Sequence, residues 1–322
     1  MSATWNRSTS PPRLDLSVRV PASTSNLGPG FDLLGLCLDL FATVTAEVRD
    51  DGLGRVETDG SAGWLENVLI ESARAGLELG AAPDLSMRLG LSNEIPVARG
   101  LGSSGAAVAA GLLLGATAAG TRSQAELERS ALVDAAVELE GHPDNAVAAL
   151  FGGCRLSLRT ATGWRVVHQT VHPSIGFALA WPEAPLATAR ARAVLPEQVP
   201  FAAAADNPRR LAALLAGLCT GDVQLLTHGL VDHLHEPWRL PLIAGAAEAL
   251  AAARAAGAFG ATLSGSGSTL VAVGPVDRAP HLARVLGDEL ARHGALGGAR
   301  AAALVEDAPR VEVVRSRDGS AW

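Results

Sequence analysis

Residues 96–116 read PVARGLGSSGAAVAAGLLLGA, a glycine-serine loop running straight into a long stretch of small apolar residues. Few folds accommodate this pair. A helix that is apolar on every side must lie inside the protein, and the loop delivering the chain to its first turn must bend sharply, as glycine allows. The helix is expected from about Ser104 to Thr117. Its first amides lack intrahelical partners, and with the helix dipole they make a site for an anion. The hydroxyls of Ser103 and Ser104 could also ligate a magnesium ion carried by a nucleotide. Taken alone, the loop is equally a serine-capped connector between a strand and a helix. It is not a nucleophile elbow, because Ala106 stands where G-x-S-x-G needs its last glycine.

The sequence contains no lysine: all 26 basic residues are arginine. This excludes Schiff-base chemistry, a pyridoxal-phosphate anchor, a Walker A loop and the strand lysine of protein kinases. Anions must be met by arginine, backbone amides, helix termini or metal. The net charge of −7 and the lack of a basic cluster argue against nucleic-acid or anionic-membrane partners. Cys37, Cys154 and Cys219 have no metal-ligand spacing and suggest no disulfide framework. The apolar run near 106–119 is too short to span a bilayer. With no apolar signal core at the start, a soluble cytoplasmic protein is expected.

Coarse patterning places a short strand from Leu16, a half-buried strand at 42–48 and a helix at 66–79. A strand at 85–96 follows, then the loop and its helix, and a helix at 123–141 opening on a Ser123/Glu126 capping box. Beyond residue 165 come strand GFALAWP, helices near 207–220, 222–234, 242–256 and 278–292, strands GATLS and TLVAVG, and terminal strands. This order predicts an α+β protein with helices layered on antiparallel sheet.

Four further stretches carry chemistry. PASTSNLGPGFD (21–32) holds Asn26 and Asp32 around a Gly-Pro-Gly turn, a pair suited to a ligand with hydroxyl and ammonium groups but also an ordinary turn. ELEGHPDN (138–145) crowds Glu138, Asp144 and Asn145, a carboxylate for a metal and an amide for a substrate hydroxyl. TARARAVLP (188–196) and HEPWRLP (235–241) bring arginines matched to a carboxylate or phosphate. LSGSGST (263–269) is a glycine turn able to pack on another loop. The histidines at 228, 233 and 235 lack zinc spacing and are read as surface residues.

As a set, and in their order along the chain, VPASTSNLGPGFDLLGL, PVARGLGSSGA, GHPDNAVAALFGG and TLSGSGSTLVAV resemble the motifs of the GHMP small-molecule kinases in the form of the branch that phosphorylates homoserine. The resemblance runs from about Leu16 to Val273. It implies a two-lobed α+β fold, with an ATP-binding lobe (16–165) like domain 2 of ribosomal protein S5 and a ferredoxin-like lobe (166–316). Tails would occupy 1–15 and 317–322. The implied reaction moves the γ-phosphoryl group of ATP to the side-chain hydroxyl of L-homoserine, in threonine biosynthesis, with Mg2+ and in a homodimer. Pro96, Arg99, Gly100, Leu101, Gly102, Ser103, Ser104 and Gly105 would hold the triphosphate. Ser104 and Glu138 would bind the metal, with Glu140 the alternative carboxylate. Asn26, Asp32 and Asn145 would bind homoserine, Asp32 at its ammonium group; Arg192 and Arg239 would clamp its carboxylate, with Thr188 nearby. Gly265, Ser266 and Gly267 would support the site. Asn145 would orient the accepting hydroxyl, and Asp144 is either base or support.

Overall fold

The computed structural model describes residues 14–59, 63–120 and 129–316. The first lobe contains β1 (Leu14–Asn26), β2 (Gly30–Arg49), β3 (Val56–Thr58), α1 (Trp64–Leu79), β4 (Ser86–Asn93), α2 (Ser103–Ala118), α3 (Arg129–Glu140), α4 (Asp144–Phe151), β5 (Cys154–Thr160) and β6 (Gly163–Gln169). The second contains β7 (Ile175–Pro182), α5 (Thr188–Ala193), α6 (Phe201–Thr220), α7 (Val223–Gly229), α8 (Glu236–Arg239), α9 (Ala246–Ala255), β8 (Gly260–Leu263), β9 (Leu270–Pro275), α10 (Ala279–Arg292) and β10 (Leu296–Ala302). The chain then returns to the first sheet as β11 (Val311–Ser316).

One sheet runs β11-β1-β2-β4-β3, with β5 paired to β2 and β6 to β5; the other runs β10-β7-β9-β8. The 20-residue β2 serves both ends of its sheet, pairing β4 through Ala42–Arg49 and β5 through Leu34–Leu36. An expected lobe boundary at 165/166 falls inside β6, whose ladder with β5 continues to Gln169. The tail expected over 1–15 yields Leu14 and Asp15 to β1, because β2 and β11 both pair with them. The Ser123/Glu126 capping box lies outside the described residues. α6 begins six residues before its expected start and passes through Pro208, carried by the alanine-rich run after Pro200.

α2 is buried along almost its whole length, as its all-round apolar composition requires. Its glycines let α1 come close: a Cβ on Gly115 would lie 2.2 Å from the Ala73 carbonyl oxygen. The strands of the second sheet obey the period of two. Phe177, Leu179, Val271 and Val273 join the large core of the first lobe, while Ala178, Ala180, Leu270 and Ala272 face a separate core against α9 and α10. The second sheet is thereby clamped between the two cores, and the lobes meet along the buried polar end of β1.

Candidate active site

A cavity of about 400 Å³ opens where the lobes meet. It is lined by Ser25, Asn26 and Asp32, by Ala98–Gly100 and Gly102–Ser104 of the glycine loop, by Glu140, His142, Asp144 and Asn145, and by Leu186–Ala189, Arg192, Arg239, Gly265 and Ser266; Trp64 adds an aromatic wall. Residues as far apart in the chain as Ser25 and Ser266 therefore converge on one space.

The floor is built from the end of β1. After Ser25 the chain reverses through Asn26, Leu27 and Gly28, all with positive φ (68°, 45° and 81°), a conformation costly for Asn and Leu and held by surrounding contacts. Asn26 locks the turn: its Oδ1 accepts the Asp32 amide at 3.1 Å and its Nδ2 donates to the Gly265 carbonyl at 2.8 Å. Asn26 is thus a brace between lobes as well as part of the cavity wall. The 264–268 turn docks here, with the Ser264 hydroxyl donating to Gly100 O at 2.5 Å and lying 2.9 Å from Thr24 Oγ1, and Gly265 N donating to Ser25 O at 3.0 Å. Gly265 and Ser266 reach the cavity, and Gly267 lies behind them against Ile243 and Leu186.

The glycine loop delivers Ser103 and Ser104 at the first turn of α2, with Gly102 in the left-handed region at its N-cap. Pro96, Leu101 and Gly105 shape the loop without lining the cavity; the Leu101 side chain is in the core. Arg99 has a further task. Its guanidinium donates to the carbonyls of Pro182 (3.0 Å), Val97 (2.7 Å) and Glu183, so it staples the loop to the second lobe, with three of its five N–H groups committed to backbone.

A carboxylate does meet the loop, and it is Glu140: the Ser104 hydroxyl donates to its Oε1 at 2.5 Å. Glu138, the residue first expected to hold a metal, is exposed and outside the cavity. Two residues along a helix turn a side chain by about 200°, so the two glutamates point to opposite sides of α3. Burial pushes the Glu140 pKa up; the charge of His142 and the Ser104 hydroxyl partly oppose this, and Asp144 adds to it.

His142 bridges Glu140 and Asp144. Its Nδ1 lies 2.7 Å from Asp144 Oδ1, which also accepts the Asn145 amide (2.8 Å) and side-chain Nδ2 (3.1 Å). Burial opposes charge on both groups. The hydrogen bond and charge of Asp144, with the charge of Glu140, nonetheless raise the His142 pKa, and the same partner lowers that of Asp144. An ionised Asp144 with an oxygen so occupied is a poor proton acceptor at neutral pH and a good anchor. Asn145 is anchored by it: Nδ2 also donates to Ser25 Oγ at 3.1 Å, and Oδ1 accepts from Ser23 at 2.9 Å.

Also in the cavity wall, Arg192 and Asp32 form a bidentate pair, Nη1–Oδ2 3.0 Å and Nη2–Oδ1 2.7 Å. The hydrogen bond to Asp32 is the main reason the Arg192 pKa lies above its ordinary value. Arg239 lies alongside, 1% exposed, and both guanidinium carbons stand over the Phe31 ring, at 5.6 and 5.2 Å. Thr188 Oγ1 is 3.3 Å from Ser266 Oγ. Sequence reasoning missed Ser23, Ser25, Phe31, His142 and His235. All five lie within motifs quoted above, and His235, expected at the surface, is fully buried.

Comparison with known proteins agrees with this construction. Residues 67–153 match the GHMP kinases N terminal domain and residues 214–292 the GHMP kinases C terminal domain. A homoserine kinase of Moorella thermoacetica is 42% identical over 267 residues, 79% of this chain and 86% of that protein. One from Prochlorococcus marinus is 38% identical over 277 residues, covering 84% and 87%. The crystal structure of homoserine kinase from Cytophaga hutchinsonii superposes with a TM-score of 0.83 at 26% identity, over 92% of this chain and 97% of that one. Two of its relatives are thus homoserine kinases, and the chain belongs to the GHMP kinase family.

Proposed function

We propose that the protein transfers the γ-phosphoryl group of ATP to the side-chain hydroxyl of L-homoserine. The observation that carries this reading is the Asp32–Arg192 pair in the wall of the cavity. An amino acid is a zwitterion, and inserting one exchanges the internal pair for two matched ones, ammonium on Asp32 and carboxylate on Arg192, with Arg239 beside it. Net charge in the cavity is unchanged by the exchange, which limits its desolvation cost. Mevalonate, an acceptor with a carboxylate and no ammonium, would leave Asp32 facing its own negative charge.

In this reading the loop amides and the N-terminus of α2 hold the phosphate groups in place of a lysine. Ser104 and Glu140 are two adjacent hard oxygen donors, and among the described residues no cluster of three or more His, Cys, Asp or Glu side chains makes a self-sufficient metal cage. That set fits a magnesium ion arriving with the nucleotide, which typically uses one or two carboxylates plus phosphate oxygens and water. Bound there, magnesium would neutralise charge on the transferred phosphoryl group. Both Asn145 Nδ2 hydrogens and one Oδ1 lone pair are committed to Ser25, Asp144 and Ser23, so the remaining Oδ1 lone pair is the acceptor that orients the homoserine hydroxyl. Asp144 holds Asn145 and His142 in place. Phosphoryl transfer through a loose transition state depends mainly on such positioning.

The test is ADP release in a coupled assay with homoserine, serine, threonine and mevalonate offered separately. Stimulation by homoserine above the others is expected; none with homoserine would overturn the reading. Asn145→Ala should lower turnover by about 100-fold with ATP binding retained, and near-normal turnover would refute its role.

A further inference from the structure

We propose that His235 is a positioning residue that sets acceptor specificity: it fixes the orientation of Arg239 while tying Arg239 to the turn that presents Asp32. This deepens the homoserine reading and rests on it. His235 is fully buried. Its Nε2 lies 2.9 Å from the Gly28 carbonyl oxygen and its Nδ1 3.2 Å from Arg239 Nη1. A carbonyl can only accept a hydrogen bond and a guanidinium can only donate. The ring is therefore neutral, with its proton on Nε2 and a lone pair on Nδ1 facing Arg239. Charged groups around it are Asp232, whose Oδ2 is 3.8 Å from Nε2, with Arg239 and Asp32. Asp232 favours a charged ring, but that same oxygen already accepts the amides of Leu234, His235 and Glu236. Burial and Arg239 oppose the charge. Phe31 stacks on the ring at 5.1 Å.

The consequence falls on Arg239. Its Nε donates to Ala191 O at 3.1 Å, and its Nη1 donates to His235 and to Gly265 O at 3.3 Å. Among the described residues Nη2 has no hydrogen-bond partner, and Arg239 lines the cavity. His235 thus holds the guanidinium so that Nη2 is the end offered to a carboxylate. Through Gly28 it joins this second-lobe arginine to the first-lobe turn that carries Asp32, keeping the carboxylate and ammonium subsites at one spacing.

The test compares L-homoserine with 3-amino-1-propanol, which has the same hydroxyl and ammonium groups but no carboxylate. His235→Phe, which keeps the stack on Phe31, should raise KM for homoserine roughly 10- to 100-fold, the effect of one or two lost hydrogen bonds to a charged group. KM for ATP and kcat/KM for 3-amino-1-propanol should stay within about twofold. His235→Gln, with a donor and an acceptor, should recover most of the homoserine KM. Parallel loss on both acceptors and on ATP marks a merely structural role and overturns the proposal, as does unchanged discrimination. Nitrogen-15 NMR of the wild-type ring decides independently of any variant: a neutral ring protonated on Nε2 is expected, and Nδ1 protonation overturns it. A wild-type enzyme inactive with homoserine sinks the functional reading itself.

Discussion

Replacing Gly102 by alanine puts a methyl group where the glycine loop, β1 and Asn145 crowd together. Gly102 has φ 66° and ψ 32°, a left-handed conformation that costs an L-residue roughly 1 kcal/mol. The new Cβ would stand 2.1 Å from Ser23 Oγ and 3.0 Å from Asn145 Oδ1. The Ser23 side chain has to swing away, breaking its 2.9 Å hydrogen bond to Asn145 Oδ1 and leaving a buried acceptor unpaired, a further ~1–3 kcal/mol. Gly102→Ala should therefore lose about 2–4 kcal/mol of unfolding free energy. Turnover should fall about 10- to 100-fold as Asn145 is displaced. Urea unfolding and steady-state kinetics of Gly102→Ala, Ser23→Ala and the double variant isolate the cause. Ser23→Ala removes the obstructing oxygen, so the double variant should be more stable than the two losses added, by about 1 kcal/mol or more. Additivity within ~0.5 kcal/mol would refute the steric reasoning.

The two glutamates of α3 should behave oppositely. Glu140→Gln is expected to raise the Mg2+ concentration needed for half-maximal activity about 10- to 100-fold, whereas Glu138→Gln should shift it less than about twofold; the reverse result in a metal titration would overturn the assignment. Glu236 supplies a pH dependence of stability. Its carboxylate accepts Leu263 N at 2.7 Å and the Thr262 hydroxyl, but burial lifts its pKa from 4.5 to about 8. A carboxyl with a raised native pKa stabilises the fold below its unfolded pKa and loses that contribution as pH rises through the native one. Stability should therefore fall between about pH 5 and 8, by a few kcal/mol at most. Glu236→Gln should flatten that part of the profile in urea unfolding at pH 5.5 and 8.5, and an unchanged slope would contradict it.

Much of the site was legible because its parts are local. The glycine loop, the apolar helix after it and the turn at 26–32 each express their chemistry within a dozen residues. Their order along the chain resembles one family strongly enough to imply the fold that the second sheet and the shared cleft bear out. The α3 carboxylate shows where local reading stops. Two glutamates two residues apart are equivalent as composition and opposed as geometry, and the weak apolar stripe of α3 does not reveal its phase. Packing against α2 decided for Glu140. The stapling role of Arg99 was hidden for a similar reason, because the Pro182 and Glu183 carbonyls it meets lie more than 80 residues away.

Residue types and their order already require that anions here be met without lysine and that a buried helix begin at a glycine-serine loop, and they name side chains suited to an amino-acid substrate. How those side chains pair is a matter of the folded chain. Asp32 meets Arg192 across 160 positions, and His235 meets Gly28 across 207. β11 returns to the first sheet to pair with β1. Residue type and local spacing fix what a side chain can do, whereas contacts across such separations depend on how whole faces of sheet and helix bury one another.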